Sequence, residues 1–383
     1  MRDLDRLAGS YRAVAFDVFD TLIHRDVAAP SDVFSRMEAA GVVPEGFSAR
    51  RIAAEAAARA ACAPREVTLA EIYTQKELEG IDPKAEIDAE LSLIVPDAGM
   101  QALYNACRAR GQVVYVVSDM YLPAQVIAEM LRTCGYDAPD GLFVSSEYGV
   151  QKRSGKLFRL FLEKTGLSPR DVLFFGDDRR ADCIGAALAG IRSVRTPGRL
   201  PRPDYYPEPV TAGEGTLTAF CANRAQFLDN QEERFGYTVT GPLVLAFAAW
   251  LRRRRAEHPE GRLVFLARDM YLVREVCRIL GEKESGYLCV SRRSLCPALL
   301  MRPMTPEAQA LLLDTLPRQV MRVDEILSFC GFPPDTRLPD YDGCRMFDLR
   351  QRPADAELTK LLLRICALSR GTAGLAVRES AAR

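Results

Sequence analysis

Three apolar runs in the first half of the chain each end on acidic or hydroxyl residues. Ala13-Val14-Ala15-Phe16 leads into Asp17, Val113-Val114-Tyr115-Val116-Val117 into Ser118 and Asp119, and Phe174-Phe175-Gly176 into Asp177 and Asp178. Unbroken β-favouring runs bounded by turn residues read as buried strands of a parallel sheet, so each polar residue falls at the carboxyl end of a strand, where open α/β sheets bind ligands. Helical signals fill the space between. Ser31 is placed to cap a helix ending near Gly41, and Ser48 precedes an alanine-rich run over 49–63. Thr68-Leu69-Ala70-Glu71 has capping-box spacing, and Asp82-Pro83 opens the next helix. A helix over about 98–110 carries Met100, Leu103, Tyr104 and Cys107 on one face.

From residue 113 onward strands and helices alternate: strands at 113–118, 142–145, 172–176 and 191–195, and helices at 123–133, 154–165 and 181–189. Alternating βα units imply an α/β fold with a doubly wound, Rossmann-like parallel sheet. Residues from about 25 to 95 interrupt it as a helical cap inserted after the first strand, placed to close over the strand ends. The reading therefore expects a catalytic domain over 1–196, a stiff proline-rich linker over 197–214 and an accessory α/β, helix-rich domain over 215–383. In that last part Leu263–Ala267 reads as a strand, and 305–314 and 354–369 as helices. Val113–Met130 aligns without gaps on Leu263–Leu280, with Asp-Met-Tyr-Leu identical at Asp119–Leu122 and Asp269–Leu272. The accessory part reads either as a degenerate copy of a Rossmann-like unit or as a chance likeness between two strand–turn–helix units.

Composition narrows the function classes. Of the 383 residues, Lys+Arg and Asp+Glu number 51 each, which gives no long-range reason to expect nucleic acid or an anionic membrane as a partner. His24 and His258 are the only histidines, too few for a multi-histidine metal centre. The 11 cysteines include no C-x-x-C pair and fit a reduced, cytoplasmic chain better than a disulfide framework. The charged start Met1-Arg2-Asp3-Leu4-Asp5-Arg6 lacks the apolar stretch of a signal peptide. The apolar stretch Tyr237–Leu251 runs into Arg252–Arg255 but is shorter than the ~20 residues a membrane span needs, so no span is expected.

Asp17, Asp177, Ser118 and Lys152 together make the parts of a magnesium-dependent phosphoryl-transfer site. A hard octahedral cation takes carboxylate oxygens, and a lysine neutralises charge on the transferring group. An aspartate closing a buried apolar strand is costly unless it is paired or metal-bound, which favours function at Asp17 and Asp177. A turn-forming role for Ser118, a helix-capping role for Asp182 and a packing role for His24 are the plainer alternatives.

The segments Phe16-Asp17-Val18-Phe19-Asp20-Thr21-Leu22, Val117-Ser118-Asp119, Lys152 and Gly176-Asp177-Asp178 with Asp182 resemble the four motifs of the haloacid dehalogenase (HAD) superfamily, most of whose members are phosphatases. The first of these, combined with Val117-Ser118-Asp119-Met120-Tyr121-Leu122 and the stretch Ser145–Lys156, is similar to a narrower branch of HAD-type hydrolases often found beside or fused to bacterial glycosyltransferases. The resemblance implies that Asp17 is the nucleophile and forms an aspartyl-phosphate. It implies that Mg²⁺ is held by Asp17, the Phe19 backbone carbonyl and Asp177, with Asp178 or Asp182 completing or orienting that shell. Ser118 would donate to a phosphoryl oxygen and Lys152, in preference to Lys156, would neutralise charge. Asp20 and Asp119 would support the site, and Arg25 and Thr21 are candidates for gripping substrate.

One departure stands out. Most HAD phosphatases carry a general-acid aspartate two residues after the nucleophile; here that position is Phe19, and Asp20 would point to the opposite side if the backbone stays extended. The expected function is a phosphohydrolase acting on a small phosphorylated metabolite, possibly a sugar phosphate, with the accessory part available for a protein partner or homo-oligomer. The alternatives are a catalytically weak or silent HAD-fold binding or scaffold protein tied to polysaccharide biosynthesis and, more remotely, a 2-haloacid dehalogenase, against which the acidic fourth motif argues.

Overall fold

The computed structural model describes residues 2–198, 212–282, 285–303, 305–350 and 356–371. Most of the proline-rich stretch, and with it the expected linker over 197–214, lies outside the described residues.

The chain divides into two compact units, Met1–Pro242 and Leu243–Arg383. The first is built on strands β1 (Ala13–Phe16), β4 (Val113–Ser118), β5 (Gly141–Val144), β6 (Val172–Gly176) and β7 (Arg192–Arg195), after which β2 (Ile23–Arg25) and β3 (Ile94–Pro96) pair separately as a short antiparallel ribbon. The five main strands form one parallel sheet in the order β5-β4-β1-β6-β7. The first strand is thus central, and the chain turns to opposite sides of it, which opens a crevice at the carboxyl ends.

The apolar runs supply both faces of this sheet. Val14 and Phe16 of β1, with Leu173 and Phe175 of β6, face one buried cluster; Ala13, Ala15, Val172 and Phe174 face the other. Phe16 stacks on Phe175 with ring centroids 5.1 Å apart, locking the two strands that end in Asp17 and Asp177. The helix Ala98–Ala109 buries Met100, Leu103, Tyr104 and Cys107, and Asp97 caps it by accepting from the Met100 N–H at 2.7 Å. Arg179–Ile184 is π-helical and continues as the α-helix Gly185–Leu188, where the sequence suggests one regular helix.

The segment between β2 and β3 is the helical cap. Its helices span Asp32–Ala39, Phe47–Cys62, Leu69–Tyr73 and Lys84–Ser92. Thr68 and Glu71 form the expected capping box, but that helix stops at Tyr73 and a 3₁₀ turn, Lys76–Leu78, covers the distance to Gly80. The cap is held by buried ionic contacts: Arg51 donates to Glu86 through Nε at 2.6 Å and Nη2 at 2.8 Å. Tyr73 and Tyr121 donate to the same carboxylate at 2.9 and 2.8 Å. Tyr121 belongs to the loop after β4, so this bond ties the cap to the sheet domain.

The helix Ala212–Ala225, beyond the proline-rich stretch, packs on the cap's base. Asn223 donates to the Arg25 carbonyl at 3.0 Å and to Asp26 at 2.9 Å, and Gln226 donates to the Pro96 carbonyl at 3.0 Å. These contacts place residues 212–242 with the first unit, whereas composition alone draws the boundary in front of them.

In the second unit, β8 (Leu263–Leu266) pairs in parallel with β9 (Ser285–Leu288) across the helix Tyr271–Ile279. A second pair, β10 (Val320–Arg322) and β11 (Met346–Asp348), is antiparallel. The helices Pro306–Thr315, Val323–Phe329 and Ala356–Arg370 bury Leu312, Ile326, Leu361 and Ile365 in a core of their own.

Candidate active site

Asp17 follows the central strand directly, and its N–H donates to the Phe175 carbonyl of β6 at 2.8 Å, extending the ladder by one residue and fixing the carboxylate over the crevice. Asp177 follows β6. The carboxylate oxygens of Asp17, Asp177 and Asp182 come within 4.8 Å of one another, the one such acidic group among the described residues. Lys152 lies between two of them, its Nζ 2.6 Å from Asp17 Oδ1 and 2.6 Å from Asp182 Oδ1. Lys156 does not enter the cluster; it opens the exposed start of the helix Lys156–Thr165.

The π-helical turn sends Asp178 and Asp182, left as alternatives by the sequence, to different surroundings. Asp178 caps it, accepting from the N–H groups of Arg180 at 2.7 Å and Ala181 at 2.6 Å. Those backbone bonds hold its carboxyl below the ordinary value. Asp182 is fully buried, accepts from the Asp178 N–H at 2.9 Å through Oδ2 and presents Oδ1 to Lys152. The helix-capping role therefore belongs to Asp178, and the place beside Asp17 and Asp177 to Asp182.

Two glycines make room for this arrangement. A Cβ at Gly176 would stand 2.5 Å from the Asp182 side chain, and one at Gly185 would stand 2.2 Å from the Lys152 carbonyl. Lys152 is also placed through its backbone, its N–H donating to both Asp119 oxygens at 2.8 and 3.0 Å. Asp119 is thus an anchor for the lysine loop. Ser118, at the end of β4, is buried and its Oγ has no hydrogen-bond partner. An orphaned buried hydroxyl is costly unless a ligand completes it.

Burial pushes Asp17 up to about 8; Lys152 opposes the shift and Asp182 adds to it. Burial, with Asp20 and Asp182 nearby, pushes Asp177 up to about 6. Burial works against the Lys152 ammonium, but Asp17, Asp182 and Asp119 outweigh it and keep the group charged. Three carboxylates around one ammonium leave an excess of negative charge in a desolvated place. This donor set suits a hard divalent cation such as Mg²⁺, which would return Asp17 and Asp177 to their ionised form.

Asp20 departs from the extended expectation. Its φ is +55°, and its N–H donates to the Ile23 carbonyl at 2.8 Å. The turn brings its side chain to the crevice rather than the opposite side. It helps raise Asp177, and its Oδ1 lies 3.5 Å from His24 Nδ1. His24 is buried and reaches Asp97 through Nε2 at 3.0 Å. Thr21 is also buried, with its hydroxyl 3.4 Å from that of Thr196, and is not brought into the cleft.

Over the site, between the strand ends and the cap, is a cavity of about 610 Å³. Phe19, Asp20, Asp119 and Met120 line it from below, and Ser31, Phe34, Ile52, Glu55, Arg59 and Glu90 from the cap. Arg25 lies in its wall, stacked over the Phe19 ring at 3.8 Å from the centroid and bonded through Nε to Glu90 Oε2 at 2.7 Å. Glu90 carries no sequence signal beyond its place on a cap helix; the short β2–β3 ribbon that brings Arg25 to it is equally silent.

Residues 11–190 match the family model described as haloacid dehalogenase-like hydrolase. A pyrimidine 5′-nucleotidase of Escherichia coli is 33% identical over 109 residues, 28% of this chain and 48% of that protein. A phosphoserine phosphatase of Thermus thermophilus is 38% identical over 53 residues, 14% of this chain and 21% of that protein. The chain therefore spans half or less of the curated relatives it matches. Among solved structures, a magnesium-bound HAD-hydrolase from Bacillus subtilis is 20% identical with a TM-score of 0.34, covering 52% of this chain and 90% of that one. A HAD phosphatase from Thermococcus onnurineus is 15% identical with a TM-score of 0.37, covering 51% and 89%. The central strand that ends in Asp17, the lysine loop and the acidic β6 end all lie within residues 11–190, the part of the chain that matches the haloacid dehalogenase-like hydrolases.

Proposed function

We propose that the protein is a Mg²⁺-dependent phosphohydrolase that cleaves a small phosphomonoester through an aspartyl-phosphate on Asp17. The observation that carries this reading is the Asp17–Lys152–Asp182 cluster beside Asp177, with the unpartnered Ser118 hydroxyl at the end of the adjacent strand. Asp17, the Phe19 carbonyl and Asp177 would hold the cation, with Asp182 orienting that shell. When bound, Mg²⁺ neutralises charge on the phosphoryl oxygens and on the carboxylates.

Asp17 then attacks phosphorus, the ester P–O bond breaks, and the leaving oxygen takes a proton. Water subsequently cleaves the acyl phosphate, releasing inorganic phosphate and regenerating Asp17. Ser118 donates to a phosphoryl oxygen, and Lys152 holds positive charge against the group in transfer. Phe19 supplies no proton. Loss of general-acid help costs roughly 10²–10⁴ in rate, and this cost is smallest for a good leaving group such as an acyl or anomeric phosphate. The curated relatives act, by name, on a pyrimidine nucleotide and on phosphoserine, which supports phosphoric monoesters as the substrate class. The association with polysaccharide synthesis, and the sugar phosphates it suggests, rest on the sequence resemblance of Phe16–Leu22, Val117–Leu122 and Ser145–Lys156. A cytoplasmic location and use of the second unit to meet a protein partner or another copy belong to the same proposal.

A screen of phosphomonoesters with Mg²⁺, on wild type and on Asp17→Asn, tests the reading. Phosphate release that depends on the metal and is abolished by the substitution is the expected result. Phosphometabolite binding without turnover would favour the silent HAD-fold alternative, and metal-independent halide release from a 2-haloacid would favour the dehalogenase.

A further inference from the structure

The charges in the wall of this cavity are already paired. Arg25 is 9% exposed and Glu90 2%, and the pair is joined through one nitrogen and one oxygen only. Both Arg25 Nη groups and Glu90 Oε1 make no hydrogen bond to a described residue, and the stack on Phe19 holds the guanidinium plane in place. The other arginine of the cavity, Arg59, is held between Glu55 and Glu66 at 2.8 and 2.5 Å. Among the described residues, the arginines of this wall are therefore both compensated. A substrate carrying a second anion meets the Glu90 carboxylate, whose Arg25 partner is already paired.

What the pair does offer is a donor and an acceptor side by side in the cavity wall. Each hydroxyl of a vicinal diol is both donor and acceptor, so adjacent hydroxyls can receive from the guanidinium and donate to the carboxylate. Phe34 and Ile52 on the cap and Met120 below supply apolar surface for the C–H face of a ring. We infer that Arg25 and Glu90 are specificity-determining residues that select a neutral, polyhydroxylated leaving group, a sugar phosphate rather than a carboxylate-bearing phosphomonoester. This rests on the phosphohydrolase reading and adds to it which residues choose the substrate and by what chemistry.

The test compares kcat/KM for glucose 1-phosphate and glucuronate 1-phosphate, which share an anomeric leaving group and differ in a carboxylate. p-Nitrophenyl phosphate serves as a hydroxyl-free reporter of phosphatase activity. Wild type should prefer the neutral sugar by about tenfold or more, since a site built to pair hydroxyls rejects groups that leave its own atoms unpaired. Glu90→Gln keeps the shape and frees the Arg25 charge, so the ratio of glucuronate to glucose turnover should rise by about tenfold. A role in folding alone would lower both substrates together and leave that ratio where it was, which overturns the inference, as does a wild type that treats the two alike. If wild type hydrolyses none of the three, the phosphohydrolase reading fails separately. Calorimetric affinities of wild type for the two sugar phosphates then decide: a neutral-sugar preference supports the inference, and equal affinities overturn it.

Discussion

Lys152 Nζ sits 2.6 Å from Asp17 Oδ1, two buried side chains 135 positions apart in sequence meeting at the carboxyl end of the sheet. The same ammonium touches Asp182, so removing it strands several carboxylates without a counter-charge. Lys152→Met should reduce turnover by at least about 10² and lower the stability of the metal-free protein by about 3–5 kcal/mol, the usual cost of breaking a buried pair. Millimolar Mg²⁺ should restore part of the lost melting temperature. Thermal unfolding with and without the metal, beside phosphate release, checks both; a variant as stable as wild type without Mg²⁺ would contradict the charge argument.

Asp178 and Asp182 should separate cleanly. Asp178→Ala removes a helix cap and is expected to cost about 1 kcal/mol while leaving the Mg²⁺ concentration for half-maximal activity close to that of wild type. Asp182→Asn should raise that concentration severalfold, because it alters a carboxylate grouped with Asp17 and Asp177. Metal titrations of activity for the two variants give the comparison.

The close approaches at the two glycines make a prediction that touches no reacting group. Gly185→Ala places a methyl 2.2 Å from the Lys152 carbonyl, and Gly176→Ala one 2.5 Å from Asp182. Backbone must shift to admit either, at about 1–3 kcal/mol. Turnover should fall by at least tenfold, since a misplacement of about 1 Å can cost about 10². Ala186→Gly, one residue away, serves as the control for helix propensity in the assay.

His24 gives the pH signature of the fold. Burial alone would lower its imidazole, but Asp20 and Asp97 overcome this and raise it from 6.5 to about 9. A group raised on folding stabilises fully below its unfolded value and loses that contribution as pH rises through the folded one. Wild type should therefore lose stability between pH 6.5 and about 9, by up to about 3 kcal/mol, relative to His24→Gln. Denaturant unfolding of both proteins across that range measures the difference, and parallel curves would refute it.

The sheet was readable because its strands are buried on both faces: a run such as Val113–Val117 has no other place to go, and each run names the polar residue that follows it. The capping box at Thr68 and the buried face of the helix Ala98–Ala109 were equally direct, since both depend on neighbours within one turn. The β2–β3 ribbon was not, because Ile23-His24-Arg25 and Ile94-Val95-Pro96 are too short to show a period and pair across the 68 residues between Arg25 and Ile94. Asp20 turned the other way for a local reason, a left-handed backbone at a residue other than glycine. Asp182 became distinguishable from Asp178 only through a π-helical turn, in which the N–H groups of both Asp182 and Cys183 reach the Asp178 carbonyl. The Arg25–Glu90 pair joins residues 65 apart in sequence and had no pattern to announce it.

Tyr121 stands three positions after Ser118 on one loop and spends its hydroxyl on Glu86 in the cap. Any swing of the cap wide enough to admit a sugar must either snap that bond or drag the loop along. Under the proposed function, docking a substrate and aligning Ser118 with its phosphate would then be a single movement.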